Sequence, residues 1–199
     1  MYAMRFDGLY RSFDGSSDSS TKAGFLCYGW LISRDDHFIG QGHGVFARCQ
    51  DASSNVAEYV ALIEGLDALA DLGLVDVSIK IFGDAKSVID QMNGMASVSS
   101  EAVWPLYMRA WQLSRQFIKL KWIWTPRKNN KAADGLTRRA MRQIRSDQRS
   151  YQAALRAARN GSGKIRRSTK LLPLFDLRIF QPAAPTGSEL PGLTLLPNF

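Results

Sequence analysis

The stretch Ser53-Ser54-Asn55-Val56-Ala57-Glu58-Tyr59, running on through Val60-Ala61-Leu62-Ile63-Glu64-Gly65-Leu66, constrains this chain more than any other. Leu62, Leu66 and Leu69 recur at the spacing of one helix face, Ser54 or Asn55 is placed to cap the first amides, and Gly73 stops the pattern. The spacing therefore predicts a helix over Asn55–Leu72, and a helix with one apolar side must lay that side on something. The flanking sequence supplies a sheet. Phe25–Ser33 and His37–Ala47 are apolar runs joined by the charged turn Arg34-Asp35-Asp36, which reads as a hairpin, and Val77–Phe82 is a β-branched strand. Leu9–Phe13 reads as a first strand, with a start as early as Ala3. After Phe82 the pattern gives a short helix N-capped by Asp84 and ending near Gly94, a helix from Ser100 to Gln116, a strand from Ile118 to Trp124 stopped by Pro126, and a helix from Lys131. This order predicts an α/β fold: a mixed five-stranded sheet with an antiparallel opening meander and flanking helices. Strands followed by crossover helices should be parallel and central.

Length matters at the C-terminus. The chain has 199 residues, 45% of them hydrophobic, enough for one cored domain and a surplus. Charge locates the surplus. Residues 1–134 carry 14 Lys and Arg against 15 Asp and Glu, whereas residues 135–170 carry 11 against 1. The sequence thus divides into a body (1–145), nearly neutral as far as residue 134, a basic helical extension and linker (146–170), and a tail rich in proline and leucine (171–199) that is expected to be flexible or a short docking segment for an unidentified protein partner. The uncharged run from Ala23 to Ser33 is 11 residues long, too short to cross a bilayer. Met1–Tyr10 has no apolar leader core, and Cys27 and Cys49 match no metal or redox spacing, so reduced cysteines and a cytoplasmic location are expected.

Four acids stand where strand and helix ends would gather them: Asp14 after the first strand, Glu58 one turn into the first helix, Asp84 after the Ile79–Phe82 run, and Asp134 at the start of the last helix. Taken singly, each has a plain reading. Asn55-x-x-Glu58 has the spacing of a capping box, Asp84 suits an N-cap, and Asp134 suits a helix dipole. Phe6-Asp7-Gly8 nearly duplicates Phe13-Asp14-Gly15, and Asp14 is preferred because Asp7, within or before the strand, reads as a turn or surface residue. Together, four carboxylates repel unless a cation lies between them. With both histidines, His37 and His43, in the hairpin, an all-oxygen set favours Mg²⁺ or Mn²⁺. Two such ions activate water and stabilise the leaving oxygen of a phosphodiester.

Phe13-Asp14-Gly15-Ser16-Ser17, Asn55-x-x-Glu58, Gly83-Asp84-Ala85-Lys86-Ser87 and Asn130-x-x-x-Asp134-x-Leu136 resemble, in order, the acidic motifs of the type 1 ribonucleases H, over residues 9–145. The resemblance implies a ribonuclease H-like fold and endonucleolytic hydrolysis of the RNA strand of an RNA–DNA hybrid with two Mg²⁺, for which Mn²⁺ can substitute. It implies Asp14, Glu58, Asp84 and Asp134 as catalytic metal ligands. Ser54 and Asn55 would contact the hybrid's minor groove, and Lys86, Arg127 and Asn130 would also meet substrate. Many members carry a histidine before the last acid; here Thr125-Pro126-Arg127-Lys128-Asn129-Asn130 has none, and Arg127 would hold a phosphate there without serving as a base. The segment before Trp122 is too short for the basic handle of some relatives. Trp104 and Trp111 within it read first as packing residues, then as stacking platforms. Two other readings stay open: a nucleic-acid-binding module that does not cleave, and a DNA-directed nuclease of the same fold, although exonucleases of related fold usually begin with Asp-x-Glu.

In the basic segment, placed on one helix, Arg138, Arg142, Arg145, Arg149 and Arg156 form a stripe opposite Leu136, Ala140, Ile144, Tyr151 and Leu155. Such a helix suits nucleic-acid phosphates, a membrane surface or plain solvent.

Overall fold

The computed structural model describes residues 1–13, 23–160 and 171–181. Its elements are β1 (Tyr2–Ser12), β2 (Gly24–Arg34), β3 (His37–Arg48), α1 (Ser54–Asp71), β4 (Ser78–Gly83), α2 (Lys86–Met92), α3 (Trp104–Ser114), β5 (Lys119–Trp124), α4 (Lys131–Ser146), α5 (Gln148–Asn160) and β6 (Leu172–Phe180). One mixed sheet runs in the order β5-β4-β1-β2-β3-β6. β1 to β3 form the antiparallel meander, while β1, β4 and β5 are parallel, as crossover helices require.

Local chemistry accounts for the ends. Asp35 and Asp36 have φ of 47° and 66°, the backbone of a tight hairpin turn whose twist matches the strands. Ser53, one residue before the expected caps, accepts from the Val56 amide at 3.3 Å and starts α1. Gly73, at φ 68°, follows the helix in the left-handed conformation that a glycine adopts without strain. The two faces of the sheet bury separate cores. Met4, Phe6, Leu26, Tyr28, Trp30 and Ile32 meet Leu62, Leu66 and Leu69 of α1. On the other side Phe25, Cys27, Val45 and Ala47 meet Ala140, Met141, Ile144 and Ala154 of α4 and α5.

Several expectations are corrected. β1 begins at Tyr2, so Asp7 lies in mid-strand rather than before it. Asp84 caps nothing: Ala85 is the N-cap of α2 and no side chain bonds there. Trp104 and Trp111 are 50% and 40% exposed, so core packing is not their role; Trp104 lies against Tyr107 and Arg115 lies over the Trp111 ring. The basic helix is broken at Asp147, whose ψ of 83° leaves the helix, and whose carboxylate accepts from the Ser150 amide to start α5. Of the expected linker at 160–170, Asn160 ends α5, and residues 161–170 and the tail from 182 lie outside the described residues. Among the described residues no helix is long and apolar enough to cross a membrane.

The largest correction is at the sheet edge. Residues 172–180, expected to be flexible or a short docking segment, form β6, a sixth strand antiparallel to β3. Pro173 sits beside the register shift at Val45/Phe46, on an edge strand where a missing amide costs least. The latch is ionic. Arg178 donates to Glu64 at 2.8 Å and to Asp71 at 2.9 Å, both on α1, and Tyr28 donates to Asp176. Burial pushes the Glu64 carboxyl upward against this pairing, so Glu64 depends on its arginine. Arg178→Ala is expected to cost about 2 kcal/mol of stability, read as a lower melting temperature of the full chain, because it strands a carboxylate in a site half closed to water. Unchanged melting would mean that β6 is held by its backbone ladder alone.

Candidate active site

The site forms where β1 outruns its parallel neighbour. β1 and β4 stay in register through Arg5 and Phe82, and continuing that register puts Asp7 beside Asp84, just past the last residue of β4. Beyond Gly83 the chain turns into α2, so at Asp7 β1 has no strand partner on its β4 side. Crevices at the carboxyl ends of parallel strands are the usual ligand positions in such sheets.

Glu58 reaches this notch from α1. Gly8 makes that possible: a Cβ there would lie 2.3 Å from the Ala57 carbonyl carbon and from the Glu58 nitrogen, so only a glycine lets α1 approach β1 this closely. The Gly8 amide donates to Glu58 Oε2 at 3.1 Å, fixing the carboxylate over the strand. From the other face, Gly29 plays the matching part for α4. A Cβ on it would meet Leu136 Cβ at 2.6 Å and the Ala133 carbonyl oxygen at 2.8 Å. The seated α4 brings Thr137, which donates to Asp7 Oδ2 at 3.0 Å.

Asp7, Glu58 and Asp84 each offer one oxygen, and these oxygens all lie within 4.8 Å of one another. Asp7 is 3% exposed and Glu58 8%. Asp7 is pushed up to about 7, first by burial and then by the charge of Asp84, against the hydrogen bond from Thr137. Glu58 is raised well above its ordinary range by burial, then by Asp7 and Asp84, against the Gly8 amide. Two buried carboxyls that resist ionisation beside a third acid suit a divalent cation, whose charge would remove the repulsion. The three would hold such an ion through oxygen alone, a donor set for Mg²⁺ or Mn²⁺.

Asp134 stands apart from the three. It hydrogen-bonds Arg127 Nη2 and Arg138 Nε, each at 2.7 Å. Burial works against its charge, but the hydrogen bonds from Arg138 and Arg127 outweigh it and hold its carboxyl below the usual range. Its charge nevertheless reaches Asp7, as does that of Arg127, which also acts on Glu58. Asp84 is steadied from two sides: Asn130 donates to its carboxylate at 3.3 Å, and the Trp124 indole N–H donates to its carbonyl at 3.0 Å.

The structure sorts the remaining expected residues. Asp14 lies outside the described residues. The reading of Asp7 as a turn or surface residue is overturned by its burial within β1. Asn130 is fully buried and ties Asp84 to the Phe6 carbonyl, 2.8 Å away. Ser54 and Asn55 are exposed at the start of α1, with Asn55 accepting from Ser87. Lys86 is exposed and paired with Asp90 one turn on. Arg127 is exposed beside Asp134. Sequence reasoning missed Thr137 and Trp124, which carry no motif. It also missed Asp7, for which the alternation of Tyr2, Met4 and Phe6 against Ala3 and Arg5 was a usable strand signal.

These shifts have a consequence for the metal-free protein. Acids with folded values above their unfolded ones hold more protons when folded, so stability is full below about pH 4 and falls as pH rises to about 7. In a chelator, the melting temperature is expected to be higher at pH 5 than at pH 8. Added Mg²⁺ or Mn²⁺ should narrow the gap, and Asp7→Asn should reduce it to the part that Glu58 carries. A gap undiminished in Asp7→Asn would place its origin outside Asp7.

Comparison with known proteins follows the same outline. A family model described as reverse transcriptase-like matches residues 12–140. Bifunctional protein Rv2228c of Mycobacterium tuberculosis is 34% identical over 116 residues, 57% of this chain and 30% of that protein. The chain therefore spans less than a third of that relative's length. Ribonuclease HI of Halobacterium salinarum is 32% identical over 134 residues, 67% of this chain and 64% of that protein. The crystal structure of RNase H1 from Halobacterium salinarum superposes with a TM-score of 0.60 at 29% identity, over 71% of this chain and 98% of that one. The family match starts at Ser12, five residues after Asp7, and includes Asp14 as well as Glu58, Asp84 and Asp134.

Proposed function

The chain belongs to the ribonuclease HI-like family and has a ribonuclease H-like fold, and we propose from that premise that it hydrolyses the RNA strand of RNA–DNA hybrids endonucleolytically with two divalent cations. The observation that carries the reading is the notch itself: three carboxylates from β1, α1 and β4 with oxygens inside 4.8 Å, two of them buried. Asp7, Glu58 and Asp84 would hold a Mg²⁺, and Asp134 would serve a second. Such ions supply an activated water and charge stabilisation for the leaving oxygen.

The chain's own residues do the positioning. Thr137 and the Gly8 amide orient Asp7 and Glu58, while Asn130 and Trp124 fix Asp84. Exposed Ser54 and Asn55 open α1 at the rim, where they would meet minor-groove 2′-hydroxyls. Arg127, anchored on Asp134, offers its remaining donors to a phosphate and remains protonated throughout. Lys86 can turn from Asp90 toward the same backbone.

The test is cleavage of matched RNA–DNA, RNA–RNA and DNA–DNA duplexes by the full chain, with Mg²⁺, Mn²⁺ or a chelator. Metal-dependent cuts confined to the RNA of the hybrid support the proposal. Binding without cleavage in either metal would overturn it in favour of a binding module, and cuts in DNA–DNA would point to a DNA-directed nuclease.

A further inference from the structure

We propose that the arginines of α4 and α5 form a second contact surface for a nucleic-acid duplex, gripping backbone phosphates of the part that extends beyond the carboxylate notch. The identity of that duplex as a hybrid rests on the function proposed above; the surface itself does not.

Arg138, Arg139, Arg142, Arg145 and Arg149 are all exposed, and among the described residues only Arg138 has an ion-pair partner. Arg138, Arg142 and Arg145 follow one another at intervals of four and three residues, so like charges share one side of α4, with Asp134 paired to the first of them alone, and Arg149 continues the run on α5. A merely solvated helix normally intersperses acids among its bases. Here residues 135–156 contain one, Asp147, and it is spent on capping α5.

The bilayer alternative loses its footing in the packing. An interfacial helix needs an apolar face to insert. In α4 that face is already used, with Leu136, Ala140, Met141 and Ile144 buried. In α5, Ala154 is buried and Tyr151 stacks on Phe25 with ring centroids 5.3 Å apart. What the two helices present outward is guanidinium.

The band also starts at the site. Arg138 hydrogen-bonds Asp134, and from there α4 climbs about 1.5 Å per residue, carrying Arg145 about 16 Å further on. That is about five base-pair steps at 3.4 Å each, so a duplex seated at the notch has phosphates within reach along the helix.

The experiment is equilibrium binding of a hybrid to the full chain in chelator, where cleavage cannot intervene, across a range of salt. The variants are Arg142→Gln, Arg145→Gln and Arg149→Gln singly and together, and the same three positions changed to Lys. Each single Gln change should lower the slope of log affinity against log salt by about 0.9, and the triple change by about 2.7, while the Lys triple keeps most of the slope. Wild-type slopes in all Gln variants, with melting unchanged, would overturn the proposal. Loss of binding to phosphatidylserine vesicles without loss of hybrid slope would also overturn it, in favour of a membrane surface. If the slopes fall as expected while the unaltered chain cuts no hybrid in Mg²⁺ or Mn²⁺, the surface stands and the function proposed for the notch fails.

Discussion

Asp7→Asn is expected to lower kcat/KM for hybrid cleavage by about 10³-fold or more, about 4 kcal/mol of transition-state stabilisation, whereas Asp14→Asn should leave it within a few-fold. The sequence alone points the other way, since Asp14 is followed by Gly15-Ser16-Ser17 and the family match begins at residue 12. Geometry decides for Asp7. Its oxygen is within 4.8 Å of those of Glu58 and Asp84, and its neighbours on β1 are paired to β4 in the register that aligns Asp7 with Asp84. Ser12, the last residue of β1, pairs with Gly24 five residues further up the strand, about 17 Å from Asp7. The substitution keeps the shape of the side chain and removes a charge that burial opposes. The metal-free variant should therefore melt at least as high as the parent above pH 7, separating loss of chemistry from loss of fold. Loss confined to Asp14→Asn would reverse the assignment.

The two Asp-Gly pairs show what the sequence made legible and what it did not. Strand identity was readable from alternation and helix identity from the Leu62, Leu66, Leu69 spacing, because each depends on neighbours within one turn or one pleat. Register was not readable. It depends on which residue of β1 faces which of β2 and β4, and sliding β1 by seven residues exchanges Asp14 for Asp7. Glu58 illustrates a second limit. Its spacing from Asn55 fits a capping box, yet Ser53 caps the helix, and Glu58 is drawn to the Gly8 amide of another element. β6 illustrates a third. Five of the chain's seven prolines lie in 171–199 and dominated the composition, masking the alternation Phe175-Asp176-Leu177-Arg178-Ile179, whose polar members Asp176 and Arg178 bond Tyr28, Glu64 and Asp71. Those partners are more than 100 residues away in the chain.

Gly8→Ala should be the most damaging change of a single methyl group in the chain's site. The added carbon would sit 2.3 Å from two backbone atoms of α1, and backbone cannot rotate away as a side-chain tip can. Either α1 lifts from β1 or β1 bows, and overpacking of this kind costs about 3 kcal/mol. The same displacement carries Glu58 off the notch and stretches its 3.1 Å bond to the residue 8 amide, so turnover should fall by about 10²-fold even in the fraction that remains folded. Gly135→Ala is the matched control. It lies in α4, has nothing within 4 Å of its Cβ position, and should gain about 0.5–1 kcal/mol from the better helix former. Thermal melting of the two variants, with cleavage measured well below both midpoints, separates the effects. If Gly8→Ala melts and turns over like the parent while Gly135→Ala behaves as expected, α1 is not seated against β1 as closely as these contacts require, and the route by which Glu58 reaches Asp7 and Asp84 falls with it.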